Sequence, residues 1–468
     1  MEAIASSVED VLIPNLTYKL KNGSSYVQER KSSTFHPAGS NIYSTTGTKL
    51  IKISLTGDHY LDPSTFRIMF DLVNMQSSNL VTLDPVALRP LGGPWSFFRR
   101  MRVLAGNQLV EDIDNYNRCH ELFSILTSPD SRDNVDAEAF GQRWDIRKDT
   151  GGITDAQEYN KDNFPGIKEG QSRTALFKPL SGLFNQKKMI PLRYCPITIE
   201  LELVHDATEP IISKLDSSSS FTVNNTSVSW QIQNVQAKCD LLVLDNHLEN
   251  SFTEFLLNGG KMPLNFNTYV SQMQSIQGST QMVNNVSVNI GQQKVRLNVT
   301  RALSRLAKVF ITLDKSVGST ENYLGRKPWN DFYSPMHFST GTFPEYDENG
   351  EFEAQLQLGS KLYPEYPIRS HAEAYYNLRK SLGAQSSNVH NFDISGHDYR
   401  DFKFVWGTEM EKVIDSFGSG MNTRAGDILN VRFDHRDTNP ANYATSMHII
   451  LVSDVVMDIT DSGIAVWD

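Results

Sequence analysis

The chain has 468 residues, enough for two large β domains or three domains of ordinary size. With 39% apolar and 21% charged residues it can build a sizeable core and is too apolar to be disordered. A net charge of −10 excludes a surface shaped as a whole to coat polyanions, and three cysteines with no CxxC pair exclude a disulfide framework or a thiolate zinc site.

Residues 1–46 are polar, with four acids and four bases and no periodicity of either kind, and are expected to form an extended N-terminal arm. Its first residues carry Glu2, Glu9 and Asp10 where a secretory signal would be basic and then apolar, so no signal peptide is expected. No run of about eighteen apolar residues follows anywhere. Six Asn-X-Ser/Thr sequons, at Asn15, Asn22, Asn224, Asn225, Asn285 and Asn298, are read as chance matches in an Asn- and Ser-rich chain.

From residue 47 onward the dominant signal is alternation, the period of a strand with one buried face. Phe66, Ile68, Phe70 and Leu72 show it, then Ile197, Ile199, Leu201 and Leu203, and then Val228, Trp230 and Ile232. In the second half, Val286–Val288–Ile290 and Val295–Leu297–Val299 are expected to pair as a hairpin through Gly291, and Phe352, Ala354, Leu356 and Leu358 alternate again.

Helices are few. Cys119, Leu122, Phe123 and Leu126 fall on one helical face, stopped before Pro129. Ser251 and Glu254 form a capping box ahead of Phe255 and Leu256, and Gly259-Gly260 then breaks the chain, which places a domain boundary at 258/259. Ser370 and Glu373 form another box, with Tyr375, Leu378 and Leu382 on one face and Gly383 at the end.

The halves repeat a pattern: Leu201, Leu203, His205 and Thr208 match Val431, Phe433, His435 and Thr438, each followed by a loop and a dense apolar strand ending in Asp. With a helix in each half, this indicates an internal duplication. Two long polar stretches, 129–175 and 315–350, interrupt the strands, and connections of that length serve a surface or interface.

Catalytic chemistry is missing. The eleven histidines, His36, His59, His120, His205, His247, His337, His371, His390, His397, His435 and His448, never approach closer than seven residues, so the His-x-His of a cupin metal site is absent. Asp347, Asn349 and Gly350 have the wrong spacing for a calcium loop and read as a turn. Gly418-Ser419-Gly420 lacks the strand and helix a phosphate cradle needs and reads as a flexible loop. The run Pro94 to Arg102 mixes aromatic rings with Arg99, Arg100 and Arg102. It could stack bases, but with no second such run it reads as a strand edge whose arginines pair with acids. Leu257-Asn258-Gly259-Gly260 resembles a Leu-x-Gly-Gly maturation-protease site and is read as a helix-ending linker. No catalytic, cofactor-binding or metal residue is assigned.

The stretch Gln357 to Ile368, QLGSKLYPEYPI, with the following helix containing Glu373, Tyr375 and Leu378, resembles the second-barrel signature of double jelly-roll major capsid proteins, most closely in style those of polinton-like viruses and virophages. The segment Gly93 to Leu126, with Gly106-Asn107 between two strands and Tyr116 before a helix, is similar to the matching part of the first barrel. The resemblance implies an all-β fold of two tandem eight-stranded jelly rolls with a few short helices and long loops, at 47–258 and 259–468 behind the 1–46 arm. It further implies a non-enzymatic virion protein without cofactors. Homotrimers would form pseudo-hexagonal capsomers of an icosahedral double-stranded DNA virus, meeting neighbouring capsomers, a single jelly-roll penton protein and minor capsid proteins, with only weak inner-face contact to packaged DNA. The alternative is a carbohydrate-binding or adhesion β-sandwich, with Trp329, Phe332 and Tyr333 as an exposed sugar platform.

Overall fold

In a computed structural model, the residues described are 26–76, 87–127, 138–140, 166–211, 227–276, 280–283, 286–289, 293–314, 332–335, 352–383, 394, 396–401, 403–414, 416–424, 427–435 and 443–468. The expected calcium-like turn at Asp347, the residue Trp329 and most of both long polar stretches lie outside them.

The first half runs β1 (Val27–Phe35), β2 (Ile42–Tyr43), β3 (Leu50–Leu55), β4 (Tyr60–Asn74), β5 (Phe98–Ala105), β6 (Gln108–Ile113), α1 (Tyr116–Ile125), β7 (Ser172–Phe177), α2 (Gly182–Asn185), β8 (Ile190–Pro191), β9 (Ile197–Leu203) and β10 (Trp230–Leu244), then α3 (Asn246–Leu257). The second runs β11 (Met262–Ser275), β12 (Thr280–Val283), β13 (Val286–Asn289), β14 (Gln293–Val299), β15 (Leu306–Asp314), β16 (Phe352–Leu358), β17 (Lys361–Ile368), α4 (His371–Ser381), α5 (Gly396–Asp401), β18 (Trp406–Glu409), β19 (Leu429–His435), β20 (Ser446–Thr460) and β21 (Gly463–Trp467).

Among the described residues each half contains two large antiparallel sheets, β1-β10-β4-β7 with β3-β9-β5-β6, and β11-β20-β15-β18 with β14-β19-β16-β17, and β12 and β13 form a separate hairpin. Setting aside the short additions β2, β8, β12, β13 and β21, each half has eight described strands, which in chain order occupy positions 1-8-3-6 and 2-7-4-5 in both halves. That is the jelly-roll connection, made twice. The repeated pattern falls on equivalent strands, since β9 and β19 are both the seventh, and β10 and β20, with 15 residues each, are both the eighth.

Alternation explains most of these strands. β9 and β19 bury every second residue, so Ile197, Ile199, Leu201 and Leu203, and Leu429, Val431 and Phe433, enter the sandwiches. β20 departs from the rule, being buried from Met447 through Val455 without a break. A strand buried on both faces reads as a continuous apolar run. In β20, His448 feels the charge of Arg118 on α1 of the first half.

Three expectations need correction. Residues 27–35, assigned to the extended arm, form β1, paired along β10 from Val27↔Leu244 to Phe35↔Ala237, and Ile42–Tyr43 also pair with β10. The sequence VQERKSSTF shows no alternation because this is an edge strand with little burial on either face. Residues 286–289 pair with β12 instead of with 295–299, and β14 pairs with β19. The Ser251 capping box is not one. The helix already begins after Asp245, and the Ser251 hydroxyl donates back to the His247 carbonyl at 2.8 Å. Each half carries one of the two long stretches. The first lies between the fifth and sixth strands of its barrel, and the second between the third and fourth. Strands alternate in direction, so both nevertheless leave the same end of the molecule.

The Ser370 box is present. The Ser370 hydroxyl accepts from the Glu373 amide at 3.2 Å, and the Glu373 carboxylate accepts from the amide of Arg369 at 2.7 Å.

Candidate functional site: the junction between the barrels and the outer surfaces

The two halves share no sheet among the described residues but bury one continuous apolar cluster. Helix α1 is its hinge pin. Phe123 packs on Tyr269 of β11 and Phe310 of β15, with ring centroids at 4.8 and 5.4 Å. Arg118, on the same helix, donates to the Leu313 carbonyl at 3.2 Å and lies 4.8 Å from the centre of the Phe332 ring. A buried guanidinium thus ties the first barrel to the carbonyl end of a second-barrel strand.

Beside it, Glu111 of β6 is wholly buried. Its carboxylate accepts from the Ser181 hydroxyl, from the Gly182 amide at 2.7 Å, from the Leu183 amide and from the Thr268 side chain of β11. Burial outweighs these donors and pushes its pKa up to about 7. Gly182 opens α2 because nothing larger fits, as a Cβ there would sit 1.8 Å from the Asn267 carbonyl oxygen. The barrels therefore meet at backbone contact.

Three histidines are held by partners within their own barrels. His120 stacks on Trp95 at 4.1 Å and contacts the Lys178 carbonyl at 3.2 Å, while Trp95 donates its indole N–H to Glu121 at 2.8 Å. Burial lowers His120 to about 4. His448 of β20 bonds the Ser271 hydroxyl at 2.6 Å, and burial, with Arg118 nearby, lowers it to about 3. His435 meets the Pro335 carbonyl at 2.7 Å. Both His120 and His448 are neutral near pH 7, and no three His, Cys, Asp or Glu side chains converge on a metal-sized site among the described residues. Cys119, Cys195 and Cys239 are free and buried, and burial raises their thiols, Cys195 and Cys239 to about 12.

The basic-aromatic run has a structural use. Trp95, Phe97 and Phe98 are core residues, and Arg100 makes a two-pronged contact with Asp112 at 2.7 and 2.6 Å. Arg102 reaches Asp112 at 3.5 Å and Glu200 at 4.0 Å, and Arg99 reaches Asp114 at 3.9 Å. The sugar platform fails for the two members that are described, because Phe332 is fully buried and Tyr333 nearly so. Gly418-Ser419-Gly420 closes an ordered turn in which the Gly418 amide donates to Asp454 at 2.6 Å and the Lys412 amide to the Ser419 carbonyl at 3.0 Å. Leu257-Asn258-Gly259-Gly260 ends α3, with the Gly259 and Gly260 amides bonded back to Leu256 and Phe255.

What remains exposed is apolar in places. Val413, Ile414 and Phe417 project from the ordered turn, and Tyr366 and Tyr376 stand out from β17 and α4 with 80% and 65% of their surfaces accessible. Such residues mark contact surfaces when grouped. Sequence reasoning missed Arg118, Glu111 and Gly182, since each acts across the junction and carries no local periodicity.

No sequence family and no curated protein matches the chain. Among solved structures it is similar to VP54 of the virus PBCV-1, as fitted into a reconstruction of the virophage Sputnik, with TM-score 0.59 and 11% identity over 96% of this chain and 99% of that one. It is similar to a chain of the Sputnik virophage structure, with TM-score 0.54 and 10% identity over 98% and 92%. It also resembles the Faustovirus major capsid protein, with TM-score 0.52 and 7% identity over 95% and 92%. The likeness spans both barrels and their order, so the fold is the double jelly roll of these proteins.

Proposed function

We propose that the chain is a major capsid protein of an icosahedral double-stranded DNA virus, a structural subunit of the virion and not an enzyme. The observation that carries this reading is the pair of jelly rolls with identical strand order, fixed side by side by Arg118, Glu111 and Phe123. The barrels are the units 47–258 and 259–468, with the first extended to include β1. A free-standing binding or adhesion module has no use for a junction this rigid. A tile does, because its two barrels must hold a fixed angle.

The reading deepens to a homotrimer. Two similar but non-identical barrels give each subunit two different lateral faces, and joining unlike faces about a three-fold axis closes a ring with six barrels in hexagonal outline. Such capsomers meet one another, a single jelly-roll penton protein and minor capsid proteins. Packaged DNA would be met weakly and without sequence preference, in keeping with a net charge of −10 and arginines committed to acids.

Electron microscopy of the purified, concentrated protein tests the function. Shells or flat hexagonal arrays are expected, and uniformly dispersed monomers under all assembly conditions would overturn the reading.

A further inference from the structure

An apolar cavity of 560 Å³ opens where β1 begins, β10 ends and β11 begins. Val27, Leu244, Leu248, Phe252, Met262 and Ile459 line it, and Lys188 and Lys261 stand among them. This volume and lining are those of a site that holds an apolar guest, and nothing described fills it.

We propose that the guest is the chain's own N-terminal segment, with Val11, Leu12 and Ile13 entering the cavity and Glu9 and Asp10 meeting Lys188 and Lys261. Three observations independent of the capsid reading converge on this. The first is where the chain arrives. The Tyr26 carbonyl accepts from the Asp245 amide at 2.8 Å and Gln28 donates to the Asp245 carboxylate at 2.9 Å, so the residues preceding β1 are delivered at the start of α3. Leu248 and Phe252, on the first turns of α3, are cavity wall, and Val27 itself is wall.

The second is reach. Fourteen residue steps separate Ile13 from Val27, a span of up to about 46 Å when extended, so the triplet can turn back into a cavity that begins at Val27. The third is complementarity. Val11-Leu12-Ile13 is the densest apolar run of the first 25 residues, preceded by the adjacent acids Glu9 and Asp10 and ended by Pro14. Lys188 donates to the Pro263 carbonyl at 2.8 Å and keeps two N–H groups for a carboxylate, and Lys261 lies 3.6 Å from Asp458, exposed on its other side. An apolar plug led by two acids fits an apolar socket edged by two ammonium groups.

The test is a cross-link in the full chain. Leu12→Cys combined with Met189→Cys, which lies in the cavity wall and is partly exposed, should form a disulfide within one chain about tenfold faster or more than Leu12→Cys combined with Tyr366→Cys, an exposed position on β17 outside the cavity lining. Cys119, Cys195 and Cys239 are buried and do not compete. In parallel, Val11→Asp with Ile13→Asp should speed hydrogen exchange across residues 246–257. Equal cross-linking rates for the two pairs, or unchanged exchange, would overturn the proposal. So would a disulfide joining two chains, which would make a second copy the donor, or an acyl lipid extracted from the purified protein in stoichiometric amount.

Discussion

Replacing Glu111 by Gln should change how the stability of the protein depends on pH. In the folded state burial raises the carboxyl from 4.5 to about 7, so the protonated form is the one the fold prefers. The stabilisation it contributes is fully present below pH 4.5 and is lost as the pH rises through 7. At about 1.4 kcal/mol per pH unit, that rise corresponds to a loss of about 3 kcal/mol between those limits. His120 and His448 act in the opposite sense, because their lowered values, about 4 and about 3, make stability fall as the pH drops below the ordinary imidazole range. The whole-protein curve is therefore a dome, and only comparison with Glu111→Gln isolates the carboxyl. Gln cannot ionise, yet it turns an N–H₂ towards the Ser181, Gly182, Leu183 and Thr268 donors, so it should be the less stable protein at pH 5. Urea unfolding of both proteins at half-unit steps from pH 4.5 to 8 should show the gap between them narrowing by about 3 kcal/mol as the pH rises. Parallel curves would refute the assignment of a buried, proton-holding carboxyl to the junction.

Three further outcomes follow from the packing. Gly182→Ala drives a methyl into the Asn267 carbonyl and should cost about 3 kcal/mol, whereas Gly57→Ala, with open space around it, should cost little in the same denaturation assay. Ser370→Ala removes the acceptor for the Glu373 amide and should lower stability by about 1 kcal/mol, read as faster hydrogen exchange at the start of α4. A thiol reagent at pH 8 should label none of Cys119, Cys195 and Cys239 in the native protein and all three in denaturant, since burial both shields the thiols and raises them.

The strands legible in the sequence were those with one wet and one dry face. β4, β9, β16 and β19 carry their burial pattern in their residue types, and the apolar pairs that precede His205 and His435 therefore fall on equivalent strands. β1 was illegible because an edge strand held mainly by main-chain bonds needs no apolar alternation. The pairing of β13 was misjudged because partner choice depends on chain segments distant in sequence, and Val286 to Val299 offered an equally good local hairpin. The helix at Asn246 has its N-cap at Asp245, well before the apparent cap Ser251, whose hydroxyl instead bonds back to the His247 carbonyl inside the helix. The junction was the least legible part. Arg118 and Glu111 look like ordinary charges on an amphipathic helix and a strand, and only the second barrel, about 150 residues downstream or more, makes them buried ties.

A tile built this way has one barrel pair as one third of a ring. Native mass spectrometry of the purified chain at low micromolar concentration tests that most directly. A species at three times the 52.8 kDa chain mass, persisting on dilution, is the expected result. A stable monomer, or a two-fold dimer with no trimer under assembly conditions, would contradict it.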